Sequence, residues 1–218
     1  MSKVRENYNE EYFNWYRKIG EFGGNINKIK FEKYIKEEDS VLDFGCGGGY
    51  LINKLNCKEK HGVEINPLAI KEAEKNSIKI FKDSNELSEN HYDKIISNNS
   101  LQHCENPYLE LKNLYKALKK NGLIIILVSC SSRNLKYLAN DINYQLYSWS
   151  PMNLGNILDA TNFNIIEVKK INHRWIPKYE IFYKIFGKKI FNLASFLYSF
   201  IDTSISSIIA VAKKKYLF

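Results

Sequence analysis

The nine residues VLDFGCGGG, at positions 41–49, carry the strongest fold signal in the 218-residue chain. Their apolar start predicts a short buried strand, and the glycines that follow allow a tight turn and close approach of a ligand to bare backbone. A dinucleotide fingerprint would need Gly or Ala where Tyr50 stands, and a P-loop would need Gly-Lys-Ser/Thr. Asp43 would repel an anion at this turn. The stretch therefore predicts a site for a ligand that carries a positive charge.

Short apolar runs alternate with helical patterns along the rest of the chain. The predicted strands are 41–44, 61–65, 78–81, 93–97, 123–128, 163–171 and 207–212. The predicted helices are 50–55, 67–75, 107–120, which Asn121-Gly122 would stop, and 152–160. This order predicts an α/β fold: a Rossmann-like, doubly wound sheet of about seven mostly parallel strands, with an N-terminal helical segment and a helical insertion before the last strand.

The chain length is that of a single domain, 1–218. Residues 1–38 are predicted to be helical and to form a lid, with Gly23-Gly24 separating an aromatic half from a second helical half. Residues 40–171 and 207–213 are predicted to form the core. The aromatic stretch 172–206 is predicted to form one or two cap helices, because a structureless loop of that length is rare in a compact domain.

Four segments, in order, resemble the motifs of the class I S-adenosylmethionine-dependent methyltransferases. Residues 41–49 match the first motif, apolar-apolar-Asp-apolar-Gly-x-Gly-x-Gly. GVEIN at 62–66, FKDS at 81–84 and YDKIISNNSLQH at 92–103 are similar to the ends of the second, third and fourth strands, whereas Asn121-Gly122 matches the Pro-Gly-Gly motif only in part. The resemblance implies an enzyme that converts S-adenosyl-L-methionine to S-adenosyl-L-homocysteine, with no metal expected.

The resemblance also implies cofactor contacts. Asp43 would hold the amino acid end of the cofactor, Glu64 would accept both ribose hydroxyls, and Asp83 would lie beside the adenine. Structural roles stay open as alternatives: Asp43 as a helix cap, Glu64 as a solvated strand end and Asp83 as a turn residue. The predicted cofactor set is Asp43, Gly45, Cys46, Gly47, Gly49, Glu64, Ile65, Asp83, Ser84, Asn98 and Asn99.

Two histidines are candidates for the base that a hydroxyl acceptor needs. His103 follows the fourth predicted strand, at the sheet edge where ligands bind, and a structural role is its alternative. His173 opens the predicted insertion, whereas His61 and His91 are interpreted as structural. Further candidates, for substrate contact, come from the aromatic segments and the fourth-strand motif: Tyr12, Tyr16, Gln102 and Trp175.

The acceptor is expected to be a small molecule. The main interpretation is a hydroxyl of a sugar or nucleotide-linked metabolite in glycan or secondary-metabolite biosynthesis, and a lipid or quinone methyltransferase is the nearer alternative. A nucleic-acid methyltransferase is less expected, because Asn98-Asn99-Ser100-Leu101 stands where amino-methylating enzymes carry N-P-P-Y, and the chain has no Pro-Cys. A catalytically silent cofactor-binding protein is the remaining alternative.

The amino-acid composition limits which binding partners and which cellular compartment are expected. The net charge of +8 comes without a dense basic run, which fits compositional drift better than a nucleic-acid interface. The four scattered cysteines indicate reduced thiols, and the charged N-terminus lacks a signal-peptide core, so a cytoplasmic protein is expected. Residues 190–212 approach spanning length, but Asp202 near their centre argues against a membrane span and leaves peripheral contact open.

Overall fold

A seven-stranded sheet organises the computed structural model, which describes residues 3–130, 136–204 and 206–215. The strand order is β3-β2-β1-β4-β5-β7-β6; β1 to β5 pair in parallel, and β7 runs antiparallel to both of its neighbours. This confirms the predicted fold class. The strands are β1 Ser40–Phe44, β2 Glu59–Val63, β3 Lys79–Phe81, β4 Tyr92–Asn98, β5 Leu118–Ser129, β6 Phe163–Ile171 and β7 Ser207–Lys214.

Helices cover both faces of this sheet, and polar side chains fix where several of them begin. The Asn66 side chain accepts hydrogen bonds from the first turn of α3, and Ser150 forms a reciprocal capping box with Asn153 at the start of α5. Proline occupies the first turn of α3, α4 and α5. The helices are α1 Lys3–Asn7, α2 Glu10–Phe31, α3 Pro67–Lys75, α4 Pro107–Ala117, α5 Pro151–Ala160 and α6 Tyr179–Ile201.

The predicted break at Gly23-Gly24 is wrong, because α2 runs through it without interruption. Both glycines are buried, and they let the helix lie very close to its neighbours. A Cβ at Gly24 would stand 2.6 Å from the backbone of Tyr50, and one at Gly23 would stand 3.3 Å from the Trp175 ring. Here glycine serves close packing of a helix rather than its termination.

The predicted helix at 50–55 is also wrong: only the single 3-10 turn Ile52–Lys54 forms there. Leu51, Ile52 and Leu55 are buried, so this short segment packs its apolar side chains into the core next to the glycine turn. The chain then enters β2 at Glu59, two residues earlier than predicted, which leaves no length for a regular helix.

The helix predicted at 107–120 ends at Ala117, and β5 begins at once with Leu118. Leu118 pairs with Tyr92, and the register then shifts so that Leu123 pairs with Lys94. Residues 119–122 therefore bulge out of the strand, with Asn121 at a φ of +68°. Asn121-Gly122 marks this bulge and not the helix end.

The order of the strands places a crevice between β1 and β4. From β1 the chain proceeds outward through β2 to β3, and β4 then starts on the other side of β1. In open parallel sheets such a switch point leaves a crevice outside the carboxyl ends of the strands, where ligands bind. No helix within the described ranges has both the length and the apolar character to cross a membrane.

Candidate active site

The glycine turn after β1 forms the floor of the crevice. Gly45, Gly47 and Gly49 all have φ between +55° and +74°, a region that L side chains rarely adopt. A Cβ at Gly45 would collide with the hydroxyl of Ser100, which donates to the Gly45 carbonyl at 3.0 Å. Gly47 faces the ring of Tyr16 instead. The turn is therefore packed from beneath and covered by α2 from above.

Asp43, at the carboxyl end of β1, is a buried carboxyl group with one unpartnered oxygen among the described residues. Only 2% of its surface is exposed, and its Oδ1 has no hydrogen-bond partner among the described residues. Burial, with a smaller contribution from the charge of Glu64, raises the pKa of Asp43 to about 8. A cationic ligand group beside Asp43 would offset the free-energy cost of burying its negative charge.

A cavity of about 220 Å³ adjoins Asp43 and contains two cations that the sequence analysis did not select. Lys30 of α2 and Arg174 after β6 both line it. Burial lowers the pKa of Lys30 to about 8, and its ammonium donates to Asn27 Oδ1 at 2.8 Å. Arg174 Nε donates to Asp202 at 2.9 Å. The helical period places Lys30 on the side of α2 that carries the buried Ile26, Asn27 and Phe31, and this was the signal that could have revealed it.

Glu64, just past β2, is held by three backbone N–H groups. Its Oε2 accepts from Gly47 at 2.8 Å, and its Oε1 accepts from Ile65 and Asn66, each at 2.8 Å. Burial raises the pKa of Glu64, and these three hydrogen bonds act in the opposite direction. Oε2 keeps free acceptor capacity, so the carboxylate is oriented and able to accept a hydroxyl from the cleft.

A second cleft, of about 430 Å³, lies on the Glu64 side of the turn. Ile65, Asp83 and Ser84 line it. Asp83 Oδ1 accepts from the backbone and side chain of Asn85, and the Ser84 hydroxyl accepts from Asn113 at 2.8 Å. These two side chains therefore also stabilise the turn after β3, which is the structural role that the sequence left open for Asp83.

His103 and Gln102 lie at the far side of this cleft. Burial lowers the pKa of His103 to about 4, although hydrogen bonds to the backbone of Tyr144 and Asn143 act to raise it. His103 is therefore neutral at pH 7, and its Nδ1 has no partner in the described part of the chain. Gln102 is buried, and its carbonyl oxygen Oε1 is likewise unpartnered there.

Tyrosines of the N-terminal segment form the aromatic wall of the cleft. The rings of Tyr12 and Tyr16 stack with centroids 6.0 Å apart, and the ring of Tyr8 lies edge-on to His103 at 6.2 Å. The Asn66 side chain donates to the carbonyls of Tyr8 and Asn9, at 3.0 and 3.1 Å, which ties the start of α2 to α3. The tie holds the tyrosines over the glycine turn.

Most of the predicted site residues meet in this crevice, but two do not lie where expected. Gly49 lines neither cavity and packs against Ala73 and Ile78 behind the turn. His173 lines the smaller cavity beside Lys30 and Trp175, whereas His103 lines the larger cleft. The two candidate bases thus belong to different cavities. Asn98 and Asn99 line both cavities, and Cys46 lines the smaller one.

Comparison with known proteins agrees with this geometry. The sequence model of a family described as "Methyltransferase domain" matches residues 15–168. A relative from Rickettsia bellii named "Ubiquinone biosynthesis O-methyltransferase" is 30% identical over 208 residues, covering 78% of this chain and 86% of its own length. A S-adenosylmethionine-dependent methyltransferase from Thermotoga maritima superposes with a TM-score of 0.63 at 16% identity, over 94% of this chain and 95% of that one.

A structure with bound cofactor shows the same fold. Phosphoethanolamine N-methyltransferase 2 of Haemonchus contortus, solved with S-adenosyl-L-methionine, has a TM-score of 0.61 at 19% identity and covers 88% of this chain and 52% of that one. The chain belongs to the class I S-adenosylmethionine-dependent methyltransferases. It is a methyltransferase enzyme of that class, as its motifs predicted.

Proposed function

We propose that the chain transfers a methyl group from S-adenosyl-L-methionine to an aromatic hydroxyl on a lipid-bearing acceptor of the quinone type. The observation that carries this proposal is the similarity, along 78% of the chain, to a relative named for ubiquinone biosynthesis. It favours the quinone alternative over the sugar or nucleotide-linked acceptor that was the main interpretation of the sequence, and nothing supports a glycan pathway.

The charges of the crevice suit the two ends of the cofactor. Asp43 would accept the α-ammonium group, and Lys30, with Arg174 nearby, would bind the α-carboxylate in the smaller cavity. Glu64 would accept the ribose hydroxyls, and Asp83 with Ser84 would border the base. The cofactor supplies a methyl group already activated by a sulfonium. The protein mainly has to align donor and acceptor, which can contribute several kcal/mol.

His103 is the residue we assign to proton removal from the acceptor. Its neutral ring and unpartnered Nδ1 allow it to take the hydroxyl proton as the oxygen attacks the methyl carbon. A pKa of about 4 makes it a weak base. An aromatic hydroxyl, with a pKa of about 10 like that of tyrosine, loses its proton more readily than the far less acidic alcohol of a sugar and so demands less of this base.

The exposed face of α6 supports an acceptor that resides in a lipid phase. The 23 residues of α6 form two helical parts joined by a kink at Gly187, and Phe191 and Ser195 are the only buried residues among them. Its solvent-facing apolar side chains are Ile181, Ile185, Phe186, Ile190, Leu193, Phe196, Leu197, Phe200 and Ile201. Lys188 and Lys189 interrupt this surface with positive charge. An amphipathic helix of this kind can lie in the interface of an anionic bilayer.

The test compares the two classes of acceptor directly. Purified protein with S-adenosyl-L-methionine is incubated with a catechol that carries a prenyl tail in detergent micelles, or with a sugar nucleotide, and methylated product is measured by mass spectrometry. We expect product from the catechol alone. Transfer to the sugar nucleotide without transfer to the catechol would refute the proposal.

The role of His103 is tested in the same assay. His103→Gln should lower kcat by about 10² or more while leaving the cofactor dissociation constant within about twofold, because the base acts only on the acceptor. Cys104→Ser, next to it in the chain, is the matched control. A parallel loss of cofactor affinity in His103→Gln would assign His103 a structural role instead.

A further inference from the structure

A second cluster of ligating side chains lies at the opposite edge of the sheet from the crevice. Glu59 and His61 are two residues apart in β2, so their side chains project from the same face of the sheet. His91 immediately precedes β4. Their ligating atoms all lie within 4.8 Å of one another. Because β1 lies between β2 and β4, the three side chains meet across the amino-terminal end of β1.

The carboxylate of Glu59 stands between the two imidazoles. Glu59 Oε1 is 3.2 Å from His61 Nε2, and Glu59 Oε2 is 2.8 Å from His91 Nε2. The two imidazole rings are nearly parallel, with centroids 5.7 Å apart. In a tetrahedral zinc site with bonds of about 2.0–2.1 Å, neighbouring ligand atoms are about 3.3 Å apart. The separation between Glu59 and His61 is close to that value, and the one between Glu59 and His91 is about 0.5 Å shorter.

Outer hydrogen bonds orient two of the three side chains. His61 is 8% exposed, and its Nδ1 lies 2.9 Å from the hydroxyl of Tyr92. Ser40 Oγ, at the start of β1, donates to Glu59 Oε2 at 2.6 Å. Metal-ligating histidines almost always bond their second ring nitrogen to such a partner, which fixes the ring and the tautomer. The arrangement thus has the outer contacts of a metal site as well as its ligands.

We propose that Glu59, His61 and His91 form a binding site for a divalent transition-metal cation of the zinc type, separate from the methyl-transfer crevice. Imidazole nitrogen and carboxylate oxygen are common zinc ligands, and water would complete the coordination on the exposed side of His91. The cation would join β2 to the start of β4 across β1, so its expected effect is on stability.

The test uses tag-free, chelator-treated full-length protein titrated with ZnCl₂ by calorimetry, together with thermal unfolding at increasing zinc. We expect one site per chain and a Tm that rises with zinc concentration, because a ligand specific for the folded state stabilises it. His91→Gln and Glu59→Gln should each weaken zinc affinity about tenfold or more and remove the rise in Tm. Both side chains are partly exposed, so these variants should fold.

Two controls separate this site from other zinc ligands. His103→Gln removes a histidine of the crevice, and Cys57→Ser removes the thiol nearest in sequence to Glu59; both should bind zinc like the unmodified protein. Circular dichroism and cofactor affinity should match in all variants. Absence of zinc binding up to millimolar concentration, or binding by both ligand variants as tight as that of the unmodified protein, would overturn the proposal and leave Glu59 as a hydrogen-bond partner of two histidines.

Discussion

An acidic side chain, Asp43, and a basic one, Lys30, are buried around the glycine turn. Burial shifts the pKa of both groups to about 8, which means that burial penalises each charge. A ligand with an ammonium and a carboxylate would restore both charges at once. Strained electrostatics of this kind are typical of functional sites.

Asp43→Asn should have opposite effects on binding and on stability. Cofactor affinity should fall about tenfold or more, because a charge-assisted hydrogen bond to the ammonium is lost. The raised pKa of Asp43 means that its favourable protonated form is present at low pH and is lost as pH rises through about 8. The ligand-free variant should therefore exceed the unmodified protein in Tm, by a margin that grows between about pH 4 and pH 8 and stays constant at higher pH.

Calorimetry and thermal scans across that pH range check this prediction. A Tm difference independent of pH would show that Asp43 does not titrate in the folded state. Unchanged cofactor affinity in Asp43→Asn would remove Asp43 from the site.

Lys30→Met should weaken binding of S-adenosyl-L-methionine about tenfold or more, since a buried partner for the α-carboxylate is lost. Binding of a decarboxylated cofactor analogue should hardly change, because that analogue has no carboxylate to pair. Lys28→Met on the same helix is the control, because Lys28 forms a surface ion pair with Glu32. Equal weakening for cofactor and analogue would contradict the assigned role of Lys30.

At the scale of elements, α2 depends on glycine for its contact with the sheet. An alanine at a helix interior is normally better than glycine by about 1 kcal/mol. At Gly24 the added Cβ would stand 2.6 Å from the backbone of Tyr50, which cannot move aside easily. Gly155 of α5 has room, because its nearest neighbours would be 3.7 and 3.9 Å away.

The two glycines therefore make a matched pair. Gly24→Ala should destabilise the protein, by about 1–3 kcal/mol, and should weaken cofactor binding as α2 is displaced. Gly155→Ala should stabilise it by up to about 1 kcal/mol. Chemical denaturation of both variants gives the answer, and a stable Gly24→Ala would refute the close approach of α2 to the turn.

Local signals in the sequence sufficed for some elements and not for others. β6 at Phe163–Ile171 and the turn after β1 were predicted correctly because alternation and glycines are local patterns. The continuity of α2 depends on distant contacts with Tyr50 and Trp175, which no local pattern contains. The bulge in β5 depends likewise on pairing with β4.

The same division applies to the candidate site. Asp43, Glu64 and His103 were selected because each lies at the end of a strand, or shortly after one, within a recognisable motif. Lys30 and the cluster of Glu59, His61 and His91 were missed, since their neighbours come from elsewhere in the chain. In a cluster of this kind the spacing along the chain carries no fixed pattern, so only the folded arrangement reveals it.

At the scale of the whole molecule, the apolar face of α6 predicts reversible attachment to membranes. Leu193, Leu197 and Phe200 follow the i, i+4, i+7 spacing of one helix face and are all exposed. The protein should sediment with vesicles that contain an anionic phospholipid, and the bound fraction should fall as salt is raised. Replacing these three residues by Ser should abolish sedimentation.

Met152→Ser, which alters an exposed apolar residue of α5, is the control for vesicle binding. Sedimentation of the triple variant at the level of the unmodified protein would exclude α6 as the attachment surface. Equal binding to neutral and anionic vesicles would remove any contribution from Lys188 and Lys189.

The central claim is that the crevice between β1 and β4 holds S-adenosyl-L-methionine with its charged end toward Asp43. The most direct measurement is a crystal structure of the complex with S-adenosyl-L-homocysteine. The account predicts the ammonium at the Asp43 carboxylate, the carboxylate group at Lys30, and both ribose hydroxyls on Glu64. A nucleoside bound elsewhere, or bound here with its ribose away from Glu64 and its amino acid end away from Asp43, would contradict it.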